Sequence, residues 1–164
     1  KGTSFYIYLP ASEKSPDKRE ADTPPLFTGR GRILVMDDED FIRDISIQML
    51  SEMGFDVETA RDGNEAINRY SEALAAGRPF DAVIMDLTVP GGMGGKETIN
   101  KLAALDENVN AIVSSVYSTD PVMADYRSYG FKGAIKKPYM MQDMSQALEI
   151  LFRAERNGNK INMR

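Results

Sequence analysis

Five short apolar runs, ILVM (33–36), FDVETA (55–60), DAVIM (81–85), NAIVSS (110–115) and GAIKK (133–137), alternate with longer amphipathic stretches at about 40–53, 63–77, 94–105, 121–129 and 140–156. Runs that are apolar at successive positions read as strands buried on both faces, whereas apolar residues recurring every three or four positions read as helices with one buried stripe. A chain that repeats strand then helix in this way buries both kinds of element as a parallel sheet with helices on its two faces, joined by right-handed crossovers. The expected class is therefore α/β, a doubly wound sheet of five parallel strands. Ligands of such sheets bind beyond the carboxyl ends of the strands, near the point where strand order reverses. The polar residues that end each run are where function should be sought.

The first run ends in Asp37-Asp38-Glu39-Asp40, the third in Asp86, the fourth in Ser114-Ser115 and the fifth in Lys136-Lys137-Pro138. The carboxylates should converge. Hard divalent cations take oxygen ligands, and Mg²⁺ typically uses one or two carboxylates together with water and phosphate oxygens. Asp37 and Asp38 fit that role, while Glu39 and Asp40 read as acids placed at a helix N-terminus. Asp86 closes an apolar strand, where an ionised carboxylate is costly unless a metal or donors compensate it. A carboxylate beside Mg²⁺ can act as a nucleophile toward phosphorus and form an aspartyl phosphate. A serine hydroxyl at the end of the fourth strand could donate to a phosphoryl oxygen, and a lysine at the end of the fifth could meet it as a point charge. The bond before Pro138 is one where the cis form is accessible.

Several chemistries are excluded. The 164-residue chain has no Cys and no His, which removes thiolate nucleophiles, disulfides, imidazole catalysis and any phosphohistidine donor within it. Its net charge of −5 argues against a broad nucleic-acid surface. The segment PGGMGGKE (90–97) imitates a phosphate loop, but Pro90 stands where the first glycine belongs and Glu97 replaces Ser/Thr. No G-x-G-x-x-G follows the first strand. The glycines at 91–95 read instead as a flexible turn that lets the backbone carbonyl near Thr88 approach a metal.

Residues 3–9 alternate, with Phe5, Ile7 and Leu9 on one side and Ser4, Tyr6 and Tyr8 on the other, which predicts a strand ended by Pro10. The charged, Pro-rich segment 11–31 reads as a linker, and the domain proper should begin near Arg32. No apolar run is long enough to span a bilayer. The chain starts at Lys1 without a Met and is expected to be a piece of a larger protein.

Taken together, RILVMDDED, TARDGNEA, AVIMDLTVPGGMGG, VSSVYSTDP and YGFKGAIKKP resemble segments of the receiver domains of response regulators, over about residues 31–157. The resemblance implies a flavodoxin-like sheet of strand order 2-1-3-4-5. It makes Asp86 the phosphoacceptor, places Mg²⁺ on Asp37, Asp38, Asp86 and the carbonyl of Thr88, and assigns the hydroxyl and lysine roles to Ser115 and Lys137. Ser115 is preferred to Ser114 because it lies 22 positions before Lys137, the family's spacing. Two positions depart from the family pattern. Val116 stands where Ala or Gly is usual, which should narrow access to Asp86, and Ala134 stands at the aromatic switch position, with Tyr117 as the candidate substitute.

The opening KGTSFYIYLPAS is similar to the last strand of a histidine kinase ATP-binding domain. This implies a hybrid kinase with residues 1–10 as a remnant strand, 11–31 as linker, 32–157 as receiver and 158–164 as tail. Such a fragment lacks the nucleotide-binding boxes and the phosphorylated His of a kinase. Its implied partner is a phosphohistidine donor, either a histidine kinase or a histidine phosphotransfer protein, and its implied location is cytoplasmic. An orphan strand is an adhesive edge, so residues 3–9 are expected to pack on a sheet edge, including that of a second copy. Two alternatives stand beside this one: a receiver-like module that signals without phosphate, and a haloacid-dehalogenase-type phosphotransferase, whose Asp-x-Thr pattern Asp86-Leu87-Thr88 imitates.

Overall fold

The computed structural model describes residues 2–8, 10, 25–117 and 119–159, with side chains as far as Arg153. In chain order the elements are β1 (Arg32–Met36), α1 (Asp40–Glu52), β2 (Asp56–Ala60), α2 (Gly63–Ala75), β3 (Ala82–Asp86), α3 (Gly95–Leu105), β4 (Ala111–Ser115), α4 (Pro121–Ala124), a 3-10 turn (Tyr126–Tyr129), β5 (Gly133–Lys136) and α5 (Met141–Asn159). The five strands form one parallel sheet in the order β2-β1-β3-β4-β5. The doubly wound fold expected from the alternation is the fold observed.

The two-residue period of the strands sorts their side chains into two cores. Ile33, Val35, Ile84, Ile112 and Ile135 pack with Leu50 of α1, with Met53 just after it, and with Met144, Leu148 and Leu151 of α5. Leu34, Met36, Val83, Met85 and Val113 face the other way, against Ala66 and Tyr70 of α2, Ile99 and Leu102 of α3, and Val122 of α4. Because β1, β3 and β4 are covered on both sides, they carry consecutive apolar residues between their polar ends, and burial of each large aliphatic side chain stabilises by about 1.5–3 kcal/mol.

Edge strand β2 is different. It carries Asp56 and Glu58, and these join Arg32, Arg69, Glu65 and Arg61 in an alternating chain of ion pairs along the sheet edge and α2. The start of α2 is closed reciprocally: Asp62 Oδ1 accepts from the Glu65 N–H at 3.0 Å, and Glu65 Oε2 accepts from the Arg61 N–H at 2.9 Å.

Four expectations are corrected. Residues 2–8 form no strand, and Phe5, Tyr6, Ile7 and Tyr8 are 80–89% exposed, so the segment does not pack on an edge of this sheet. Period-two alternation marks the faces of a strand but supplies no partner, and an unpaired strand has nothing to offset its ordering entropy. Leu9 and residues 11–24 of the linker lie outside the described residues.

The remaining linker belongs with the domain. Phe27 stacks on Phe152 with ring centroids 6.0 Å apart and lies 6.3 Å from Phe55, and its N–H donates to Ser145 Oγ at 2.7 Å. The helix read at 121–129 breaks after Ala124, where Asp125 leaves helical geometry, and the 3-10 turn that follows ends at Gly130 with φ of 91°. Asp, Tyr and Ser in this stretch are weak helix formers. Finally, α5 continues to Asn159, into the segment read as a tail.

Candidate functional site

Strands β1 and β3 are parallel neighbours, and their register pairs Met36 with Met85. The next residue on each strand, Asp37 and Asp86, therefore emerges side by side at the carboxyl edge of the sheet. This is where order reverses, since the chain runs from β1 outward to β2 and then returns to β3 on the other side of β1. Beyond β3, Ser114 pairs with Asp86 and Ser115 with Lys136, which brings the ends of β4 and β5 to the same edge. The peptide bond between Lys137 and Pro138 is cis.

Asp37 is fully buried and Asp86 is 7% exposed, whereas Asp38 lies open on the rim. Ligand oxygens of all three lie within 4.8 Å of one another. Lys137, itself buried, places Nζ 2.6 Å from Asp37 Oδ2 and donates to Asp86 Oδ2 at 2.6 Å. The other oxygens are held by main chain: Asp37 Oδ1 accepts from the Glu39 N–H at 3.1 Å, and Asp86 Oδ1 from the Thr88 N–H at 3.3 Å. Glu39 sits at the N-cap of α1 without a capping bond from its side chain, contrary to its reading as a capping acid, and Asp40 occupies the first turn.

Burial raises the Asp37 carboxyl above the usual carboxylate range, and Lys137 offsets only part of that shift. Burial alone would lower the Lys137 ammonium, but its bonds to Asp37 and Asp86 outweigh it and hold the group above the ordinary lysine value. Lys137 therefore stays charged, and three carboxylates face one ammonium.

A cleft of about 300 Å³ opens on this cluster, lined by Asp38, Asp86, Thr88, Ser115 and Lys137, with Pro90, Val116 and Tyr117 on its wall. Ser115 Oγ accepts from the Tyr117 N–H at 3.1 Å, which leaves its own O–H free to donate into the cleft. Ser114 points elsewhere: its Oγ accepts from the buried Tyr139 hydroxyl at 2.9 Å, and burial pushes the Tyr139 phenol up to about 12. Val116 lines the cleft at 58% exposure, and Ala134 lies half-buried on β5. The glycines after Asp86 act mainly by close approach. A Cβ on Gly95 would meet the Asp86 carbonyl at 2.8 Å, so α3 can start only against glycine, and within 91–95 the positive φ is confined to Gly91, at 72°.

The donor set suits a hard divalent cation. It is all oxygen and net negative, and it contains a buried carboxylate oxygen, Asp37 Oδ2, that has an ionic neighbour in Lys137 but no aligned hydrogen bond.

Arg43 was not singled out by sequence. It is the buried arginine of α1, and its Nη1 donates to the Asp37 main-chain oxygen at 2.6 Å. The available signal was its position: Arg43, Ser46 and Leu50 fall on the inward stripe of α1, where a charged side chain is unexpected.

The response regulator receiver domain family matches residues 33–149. The chemotaxis protein CheY of Thermotoga maritima is 30% identical over 118 residues, covering 71% of this chain and 93% of that protein. The sensor kinase CckA of Brucella abortus is 24% identical over 161 residues, covering 91% of this chain but only 16% of the kinase. Among solved structures, the CheX–CheY–BeF3–Mg complex of Borrelia burgdorferi superposes with a TM-score of 0.68 at 27% identity, over 74% of this chain and 89% of that one. The haloacid-dehalogenase alternative falls with these findings, because that family's nucleophile ends the first strand whereas Asp86 ends β3. A chain whose acidic cluster lies at the switch point of a 2-1-3-4-5 sheet, and whose matches run from β1 into α5, belongs to the receiver domain family of two-component signalling.

Proposed function

We propose that this domain takes a phosphoryl group from a phosphohistidine on a partner protein onto Asp86. A carboxylate oxygen of Asp86 attacks phosphorus, the P–N bond to the imidazole breaks, and the ring nitrogen leaves with the electron pair. The product is an aspartyl phosphate, later hydrolysed by water. Mg²⁺ would be held by Asp37, Asp38, Asp86 and the Thr88 carbonyl, and when bound it supplies positive charge to the transferring group. Lys137 neutralises a phosphoryl oxygen and the Ser115 hydroxyl donates to another. The observation that carries this reading is the convergence of Asp37, Asp38, Asp86 and Lys137 in one cluster beneath the cleft.

In this reading residues 1–10 would become a strand only when paired within an upstream kinase domain, 11–24 join that domain to the receiver, and the whole is a hybrid sensor kinase acting in the cytoplasm. The similarity to a sensor kinase across most of the chain supports that context. Among the described residues no helix is long and apolar enough to cross a membrane. The test is uptake of label from a phosphohistidine donor with Mg²⁺, comparing wild type with Asp86→Asn. Label on wild type alone supports the reading. Absence of label from wild type sinks it in favour of a phosphate-independent module, and label retained by Asp86→Asn moves the acceptor elsewhere.

A further inference from the structure

Arg43 is a charged side chain buried beneath the acidic turn, and the phosphoryl-transfer reading gives it no task. Its residue is 9% exposed. From the second turn of α1 it reaches back past the helix start, donating from Nη1 to the Asp37 carbonyl at 2.6 Å and pairing through Nη2 with Asp40. Among the described residues no main-chain N–H donates to that carbonyl. Asp37 is thus held at separate points: its carbonyl by Arg43, its Oδ1 by the Glu39 amide, and its N–H by the Ala60 carbonyl at 3.0 Å. Each hold restricts the direction in which the Asp37 carboxylate points from β1 toward Asp86.

We infer that Arg43 is a positioning residue for the cation site: its guanidinium clamps the turn between β1 and α1 so that Asp37 presents its carboxylate to the bound metal. This rests on the Mg²⁺ site of the proposed function and adds to it the residue that presets the site. A forked donor held by two acceptors is suited to fixing a turn, because little motion remains to it once both bonds form. Groups that orient a metal ligand from behind typically change affinity by about tenfold to a hundredfold when removed.

The sign of the effect separates this from a bystander charge. Removing a cation from beside an acidic site, with nothing else changed, tightens Mg²⁺ binding. Removing a clamp weakens it. Calorimetric titration of Mg²⁺ into Arg43→Met should therefore give affinity lower by on the order of tenfold, with Arg43→Lys intermediate because it keeps charge and one donor. In the Asp37→Asn background the same Arg43→Met change should have no further effect on Mg²⁺ affinity. The Glu39 amide resonance, which reports the hydrogen bond to Asp37 Oδ1, should shift in Arg43→Met before any metal is added.

Unchanged or tighter Mg²⁺ binding by Arg43→Met overturns the inference, as does a loss that persists undiminished in the Asp37→Asn background. If Arg43→Met does not fold, Arg43→Lys decides: weaker binding with a shifted Glu39 amide supports the clamp, and wild-type behaviour overturns it. Failure of wild type to bind Mg²⁺ at all would instead refute the proposed function, so the two failures are distinguishable.

Discussion

The molecule carries two charged clusters built on opposite logic. Along β2 and α2, three arginines alternate with three carboxylates, so Arg61–Glu65 at 3.2 Å, Glu65–Arg69 at 2.8 Å, Arg69–Glu58 at 3.6 Å, Glu58–Arg32, and Arg32–Asp56 at 3.7 Å form a balanced ladder largely in contact with solvent. At the carboxyl edge of the sheet, Asp37, Asp38 and Asp86 cluster with a single ammonium among the described residues, that of Lys137, and all but Asp38 are buried. Exposed pairs each contribute between nothing and about 1 kcal/mol, whereas a buried charge left without its partner costs several. The ladder screens an edge strand and can lose a rung. The cleft holds excess negative charge that folding alone has no use for, which is the mark of a site made for a cation.

The largest effect should come from Lys137→Ala, which strands two buried carboxylates. Urea denaturation without metal should show a loss of about 3 kcal/mol at neutral pH. A loss no greater than that of a ladder variant would erase the distinction between the clusters. Next, Mg²⁺ at ten times its Kd should raise the unfolding free energy of wild type by about 1.4 kcal/mol. That increment should fall in Asp37→Asn at the same Mg²⁺ concentration, while ladder variants keep it.

Glu65→Gln should cost less than about 1 kcal/mol, and its pH dependence sharpens the contrast. The Arg61 amide, then Arg69, hold the Glu65 carboxyl down at about 2, below its ordinary 4.5. A depressed acid contributes stability that is fully present above the unfolded value and disappears as pH falls through the folded one. The gap in melting temperature between wild type and Glu65→Gln should accordingly hold above pH 4.5 and close toward pH 2. The smallest effect belongs to Arg61→Ala, at roughly 0.3 kcal/mol and absent in 1 M salt, where the Debye length is about 3 Å. An effect that survives salt would mean the ladder is tighter than its exposure implies.

Most of the fold was legible because strands buried on both faces are apolar throughout, and the site was legible because its acids end those strands. What escaped lacked a periodic signal. Phe27 stands alone in PPLFTGRG, where prolines and glycines mask an aromatic ring that docks on Phe152. Arg43 looked like an ordinary helix charge until its burial was seen. The break after Ala124 comes where Asp125 leaves helical geometry, which no apolar spacing records. Phe5 to Tyr8 have the pattern of a strand but pair with no strand of this sheet.

The aromatic clasp of Phe27, Phe55 and Phe152 also fixes the point at which the chain joins the domain. It lies where β2 begins, and Gly29 is tied there to the Met53 carbonyl, whereas the acidic cleft lies where the strands end. Strands of five residues at about 3.3 Å per residue separate the two by roughly 16 Å. A body tethered upstream of Phe27 is therefore anchored at the pole away from Asp86. For the hybrid kinase proposed above, leash length and stiffness would set how often a donor tethered there reaches the cleft.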